Sequence, residues 1–399
     1  MFEEYINQNY EIVLGSHSHV DAKNGVHWSL NFVEAMSNGG FDVVIGNPPY
    51  GYKFDKTPKK YLRAKFKSSS QNGNSAMMFI ERSIDLLKED GYLCFIVPKS
   101  LAYSQRWVDG RHFVLKHLIW TIDVSKAFQD VKLEQMIIGM IKNSNTESYE
   151  NERIGTPYRI SLKKDILDLT DTILFSGSKG ELDILKKMNA SNLYFRNVSH
   201  TKRGLPLQSK LKKTVGKYEV IRGRDIGRFT ISNSQYYLDD ADIIGHEEEV
   251  RGMISSEKIV SQRIVAHIKN PVPHLLIMSA VDRGRRVNVD TVENTYILNN
   301  KLSPDYLVAL LNSELISWYC YHFVFSNAIR SMDLDDYYIG KIPLPSDKKK
   351  IDEILKFLSE NKEQLAFDVH LKEKMDDLIN EAYRLTQNEK KLIKEGISN

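Results

Sequence analysis

Phe41-Asp42-Val43-Val44-Ile45-Gly46-Asn47-Pro48-Pro49-Tyr50 is a short apolar run closed by two prolines. Proline cannot continue a hydrogen-bonded ladder, so the run reads as a strand that stops at Gly46. Downstream, Met77, Ile80, Ile84 and Leu87 share one helical face within residues 76–88, and Gly91 is expected to end that helix. Tyr92-Leu93-Cys94-Phe95-Ile96-Val97 is a continuous apolar run ending at Pro98, as expected of a strand buried on both faces of a mostly parallel sheet. A helix near 113–117 and strands at 118–124 and 136–141 follow. Strands alternating with helices predict an open α/β sheet.

The stretch from Lys53 to Gly73 is rich in Lys, Ser and Gly and reads as an exposed loop. Past Lys142 the composition turns polar, which marks a boundary near residue 150 and a linker over 151–184. Residues 181–188 have helical spacing. Short strands, many turns and one helix over 305–318 then suggest a separate α+β domain over 185–345. Residues 346–399, rich in Lys, Glu and Leu at helical spacing, read as a helical tail.

With 399 residues, 42% hydrophobic and 27% charged, the chain has a globular balance, which excludes disordered, collagen-like and rod-like classes. No apolar run approaches the roughly 18 residues of a membrane span. Two cysteines, Cys94 and Cys320, lie in apolar surroundings and read as reduced thiols of a cytoplasmic protein. The net charge is only +3, so a nucleic-acid surface must come from local clustering. His17-Ser18-His19 lacks companions at metal-ligand spacing, and no metal site is expected.

Ligands of open α/β sheets bind at the carboxyl ends of the strands, where Asn47 to Tyr50 lie. The Asn47 side-chain oxygen and the Pro48 carbonyl are hydrogen-bond acceptors, and Pro48 and Pro49 stiffen the backbone. Such a corner suits a planar exocyclic amine. The two acceptors hold its N–H groups and Tyr50 stacks on its ring. An aryl amine is a poor nucleophile because its lone pair is delocalised. Acceptors on both N–H groups favour a more tetrahedral nitrogen aimed at an electrophile such as a methyl sulfonium. Catalysis would then rest on positioning and preorganised dipoles.

The decapeptide at 41–50 resembles the catalytic motif of S-adenosylmethionine-dependent adenine-N6 DNA methyltransferases. His27-Trp28-Ser29-Leu30-Asn31-Phe32-Val33-Glu34 is similar to the lead-in of large Type II restriction–modification methylases. Met78-Phe79-Ile80-Glu81-Arg82-Ser83 and Gly91 to Ser100 resemble the helix and strand that follow in that family. Ala127-Phe128-Gln129-Asp130-Val131 resembles its aromatic turn. The resemblance implies a partial Rossmann-like methyltransferase sheet over 1–150, the C-terminal half of a catalytic domain. It implies Asn47, Pro48, Pro49 and Tyr50 as catalytic residues, Tyr50 and Phe128 as rings stacking on a flipped adenine, and Asn47 and Trp28 as contacts of the cofactor S-adenosylmethionine. Family members also carry a glycine-rich cofactor loop and an acidic ribose-binding residue upstream. No G-x-G pattern follows a strand before Asn47, so a second protein chain is expected to supply that half of the sheet.

Positive charge clusters between 201 and 286, with Tyr218, Phe229, Tyr236 and Tyr237 interleaved. Lys202, Arg203, Lys212, Lys213, Arg222, Arg224, Arg228, Arg263, Arg285 and Arg286 are candidates for contacts to double-stranded DNA, since such groups neutralise phosphates and arginine pairs with guanine. The layout resembles the target-recognition domain of these methylases. Residues 307–315 and 342–345 are similar to its closing helix and exit strand, also seen in Type I specificity subunits. The expected function is site-specific DNA adenine-N6 methylation by base flipping. The rival is a non-catalytic DNA-binding specificity subunit with a vestigial methylase half.

Overall fold

The computed structural model describes residues 28–50, 56–69, 73–128, 133–155, 159–175, 177–233, 235–298, 302–329 and 332–398. Two compact units divide the chain, residues 1–175 and 176–399.

The first unit is built on a six-stranded mixed sheet of order β1-β2-β4-β3-β5-β6. Its strands are β1 (Phe41–Gly46), β2 (Leu87–Pro98), β3 (Leu118–Ser125), β4 (Gln135–Ile141), β5 (Ser148–Arg153) and β6 (Ile160–Lys163). β1 and β2 run parallel, as do β3 and β5, while β4 is antiparallel to both β2 and β3. The sheet is therefore mixed rather than mostly parallel. β4 enters between β2 and β3 by a direct loop, and that geometry forces the antiparallel sense. β1, β2 and β3 consequently end at the same edge of the sheet.

Between β1 and β2 lie α1 (Lys56–Lys65) and α2 (Ser75–Leu86), and α3 (Val108–His117) leads into β3. The Lys-rich stretch read as a loop thus contains a helix. α2 begins where the Asn74 side chain accepts from the Ala76 N–H, an N-cap that fixes its start. It ends at Leu86, earlier than the glycine signal, because β2 already begins at Leu87 and Gly91 lies inside it. Met77, Ile80 and Ile84 of α2 are buried, as are Leu93, Phe95 and Val97 of β2 and Ile138 and Met140 of β4. Each such side chain contributes about 1.5–3 kcal/mol by leaving water. The expected burial of β2 on both faces is not met. Tyr92 is exposed and Cys94 and Ile96 are half-buried on its other face. Gly139 is required opposite Trp120, since a Cβ there would overlap the indole ring.

β5 and β6 extend this sheet past residue 150, so the polar stretch read as a boundary is an edge of the first unit.

In the second unit, α4 (Lys179–Asn189) starts at a capping box of Ser178 and Glu181. Among the described residues nine short strands follow: β7 (Ser199–Arg203), β8 (Tyr218–Ile221), β9 (Tyr237–Leu238), β10 (Lys258–Gln262), β11 (Ala266–Ile268), β12 (His274–Leu276), β13 (Ser279–Asp282), β14 (Val287–Asn288) and β15 (Val292–Ile297). They form sheets of order β13-β10-β15-β7, β14-β8-β9 and β11-β12. α5 (Glu247–Ser255) sends Val250 and Met253 into a core with Leu205, Val220, Leu238, Val287 and Val289. The helix read over 305–318 is two, α6 (Pro304–Leu311) and α7 (Glu314–Tyr319), because Ser313 caps the second by accepting from the Ile316 N–H. The tail is three helices, α8 (Lys348–Asn361), α9 (Val369–Ala382) and α10 (Gln387–Ser398). Among the described residues no helix is long and apolar enough to cross a membrane. Cys94 and Cys320 are free thiols.

Candidate functional site

Asn47 to Tyr50 leave the carboxyl end of β1 as an extended turn, with Asn47 and Pro49 exposed, Pro48 buried and Tyr50 half-buried. Two side-chain bonds fix the turn. The Ser75 hydroxyl, at the start of α2, donates to the Pro49 carbonyl at 2.6 Å. The Tyr50 hydroxyl donates to the Ile96 carbonyl of β2 at 3.0 Å. Burial raises the Tyr50 phenol above its ordinary value, so it stays a protonated donor at neutral pH. Among the described residues no hydrogen bond engages the Asn47 side chain or the Pro48 carbonyl. Two acceptor oxygens at a strand end are thus uncommitted while the backbone around them is held.

Phe128 follows β3 at the same edge of the sheet and is 40% exposed. Trp28 is a different matter. Its ring packs on Phe32 at 5.5 Å and edge-on to Phe41 at 6.1 Å. Phe41 opens β1 and Asn47 follows its end, so about 20 Å of strand separates them. The Trp28 ring thus belongs to an aromatic cluster at the amino end of β1, away from Asn47.

β1 pairs only with β2 among the described residues, leaving its outer edge bare, with Val43 57% and Ile45 77% exposed.

The basic candidates of the second unit divide into two groups. Arg222 is buried, forks onto Asp225 at 2.9 and 2.7 Å, and lies over the Tyr236 ring at 3.9 Å. Burial pulls the Asp225 carboxyl up, but the bonds from Arg222 outweigh it and leave it below the ordinary value. Arg203 meets Asp290 at 2.9 Å, Lys212 meets Asp242 at 2.7 Å, Arg263 meets Asp333 at 3.3 Å and Arg286 meets Asp282 at 3.0 Å. Arg228 donates to the Asn312 carbonyl. These side chains are engaged within the unit. Lys202, Lys213, Arg224 and Arg285 are exposed, and no salt bridge engages them among the described residues.

Lys202 opens onto a cavity of about 1060 Å³ shared with Arg203, Arg251, Glu247, Glu248 and Glu249. His200 and Tyr296, paired across β7 and β15, stack at 5.2 Å on its wall. The sequence reading missed this aromatic pair, because only the sheet register brings residues 200 and 296 together. It also missed Ser75, whose one signal is its place at a helix start behind Asn74. His17 and His19 lie outside the described residues. Among the described residues no cluster of three or more His, Cys, Asp or Glu is arranged to hold a metal.

A half-sheet ending in an acceptor-lined turn, with a strand-rich domain after it, is the layout of a methyltransferase joined to a specificity domain. Residues 2–128 match the Eco57I restriction-modification methylase family, and residues 218–344 match the TaqI-like C-terminal specificity domain. The chain therefore resembles an Eco57I-type methylase segment followed by a TaqI-like specificity domain. It is 27% identical over 325 residues to a protein of Methanocaldococcus jannaschii described as a type II restriction enzyme and methyltransferase. It is 43% identical over 68 residues to the type II restriction enzyme and methyltransferase Eco57I of Escherichia coli. The chain spans 26% and 7% of the lengths of these relatives. Its fold resembles that of MmeI, a Type IIL restriction-modification enzyme solved in complex with DNA, with a TM-score of 0.56 at 10% identity, covering 94% of this chain and 58% of that one.

Proposed function

We propose that this chain is the target-recognising and amine-binding part of a site-specific DNA adenine-N6 methyltransferase of a restriction–modification system. The uncommitted pair of acceptors at Asn47 and Pro48 carries this reading. Asn47 Oδ1 and the Pro48 carbonyl each take one N–H of the adenine amino group, turning its lone pair out of the ring. Tyr50, held by Ile96, lies against one face of the base and Phe128 against the other. Extruding the adenine from the duplex costs about a few kcal/mol, which the stacking rings and acceptors offset. Lys202, Lys213, Arg224 and Arg285 meet phosphates and base edges.

S-adenosylmethionine, when bound, supplies the electrophilic methyl group. The described residues do not by themselves form its cradle, because the outer edge of β1 is bare among them and no G-x-G pattern follows a strand before Asn47. A bare edge with apolar Val43 and Ile45 exposed favours pairing with further strands. The reading assigns those strands, with the cofactor loop, to a methylase segment outside the described residues, on this or another polypeptide.

Transfer of labelled methyl from S-adenosylmethionine to unmethylated duplex DNA tests this, with the chain alone and with a methylase polypeptide that carries the glycine-rich loop. Activity is expected only in the mixture. Asn47→Ala should abolish it while leaving DNA affinity within about twofold, since the side chain touches the amine and not the phosphates. Sequence-specific DNA binding with no transfer in any mixture would support a non-catalytic specificity subunit instead. Wild-type transfer by Asn47→Ala would refute the mechanism.

A further inference from the structure

The candidate stacking ring Phe128 sits on a loop between β3 and β4, and one buried ammonium ties both ends of that loop. Lys99 directly follows β2 and is 1% exposed. Its Nζ lies 2.7 Å from Asp123 Oδ2, on the β3 side of the loop, and 3.7 Å from Glu134 Oε1, on the β4 side. Its backbone N–H donates to the Glu134 carbonyl at 2.9 Å. The other Asp123 oxygen accepts from the Ser125 N–H at 2.9 Å, where the chain takes the left-handed φ of 53° and leaves the strand. Non-glycine residues adopt that conformation only when their surroundings impose it. Gln135 bridges the loop a second time, accepting from the Ala127 N–H and donating to the Leu133 carbonyl.

A buried lysine is costly unless charge and hydrogen bonds compensate it, and here the compensation comes from the two stems that hold Phe128. Arg153 adds a second positive charge 3.7 Å from Asp123, so one carboxylate joins the ends of β2, β3 and β5. Tyr50 is also fastened to this strand end, through Ile96. Residues 96–99, at and just past the end of β2, thus anchor both rings assigned to the flipped base.

We infer that Lys99 is a positioning residue for base binding, acting through Phe128 by clamping the loop stems. This rests on Phe128 being a stacking ring, and the tests separate the two ideas. In the full chain, Lys99→Met and Glu134→Gln should speed amide hydrogen exchange in residues 124–134 while the rest of the sheet exchanges at the wild-type rate. Glu134→Gln keeps the Lys99–Asp123 pair, and so guards against a Lys99→Met protein that fails to fold. In labelled methyl transfer, Lys99→Met and Phe128→Ala should each lower kcat by about 10–100-fold, the scale of a roughly 1 Å misplacement, with KM for DNA within about threefold. The double variant should be no slower than Phe128→Ala alone, because the two act as a unit.

Unchanged loop exchange in both stem variants overturns the clamp. So do multiplying rate losses or a wild-type rate in Lys99→Met when Phe128→Ala is slow. A wild-type rate in Phe128→Ala instead removes the stacking role of that ring, and with it the function inferred for Lys99.

Discussion

In the first unit, the polar groups at the sheet edge are held in place but left open. In the second, most of the conspicuous charges are closed on one another. The turn at 47–50 takes its rigidity from Ser75 and Ile96, which bond Pro49 and Tyr50 and leave the Asn47 and Pro48 oxygens alone. By contrast Arg222, Arg203, Lys212, Arg263 and Arg286 each meet a carboxylate of their own unit. A stiff backbone needs no charge to hold it, so its acceptors remain for a ligand. Freeing the buried Arg222 fork means breaking its pair with Asp225, whereas the half-exposed Arg203 keeps further N–H donors beside Asp290.

The sharpest way to break this contrast lies at Tyr50. Its ring and its hydroxyl have different tasks, stacking on a base and tethering the turn to β2. Tyr50→Ala removes both and should lower methyl transfer by about 10²-fold, the scale of lost positioning. Tyr50→Phe keeps the ring and should cost about threefold to tenfold, near the worth of one neutral hydrogen bond. Equal losses in the two variants, read in single-turnover methyl transfer, would show that the tether rather than the ring matters.

Next comes Arg222, as the model of a closed charge. Arg222→Ala leaves the buried Asp225 carboxylate without its fork and strips a cation from Tyr236. Urea unfolding should report a loss of about 3 kcal/mol, while DNA affinity of the folded protein stays within about twofold. A stable variant with tenfold weaker DNA binding would place Arg222 on the interface after all.

These two cases also explain what was legible beforehand. The strand at 41–46, the turn after it and strands β2 to β4 announce themselves because apolar runs and prolines act locally. The helix at 56–65 did not, since Lys-Thr-Pro-Lys-Lys-Tyr-Leu-Arg-Ala-Lys is mostly basic and polar and reads as a solvated loop. β5 reads Ser-Tyr-Glu-Asn-Glu-Arg, polar at every position but one, and is a strand only because β3 and β6 flank it. The break between α6 and α7 turns on the single cap at Ser313. The pairing of Arg203 and Arg263 was hidden for a related reason. Asp290 lies far from Arg203 in the chain, and Asp333 far from Arg263, so no window of sequence shows that the charges cancel. That Trp28 packs at the amino end of β1 was not legible either, because proximity in sequence to the 41–50 motif says nothing about which end of the strand a ring will cover.

A smaller effect sharpens the second unit's side of the contrast. Glu293 of β15 is 2% exposed. Burial, with Asp335 nearby, raises its carboxyl to about 8, although Arg263 and Arg203 pull the other way. The unfolded chain releases that proton near pH 4.3. Between about pH 4.5 and 8 the folded state therefore binds more protons than the unfolded one, and stability falls as pH rises through that window. Glu293→Gln should flatten that fall, as read from melting temperatures across the series. Parallel curves for the two proteins would mean that Glu293 is ionised in the fold.

The smallest expected effects belong to the open lysines and arginines, and they decide where DNA lies. Lys202 projects into the cavity walled by His200 and Tyr296, yet Glu247, Glu248 and Glu249 line the same space. Carboxylates repel phosphate, so a duplex seated there must keep its backbone toward Lys202 and away from α5. If it does, Lys202→Ala lowers affinity about threefold to tenfold and reduces the slope of log affinity against log salt by about one, the signature of one lost phosphate contact. Glu248→Gln in the same assay should tighten binding slightly by removing the repulsion. Were Lys202→Ala silent while Lys213→Ala and Arg224→Ala each flattened the slope, the duplex would run past the strand β8 side of the unit instead, and the stacked His200–Tyr296 wall would be a packing feature of the β7–β15 pair.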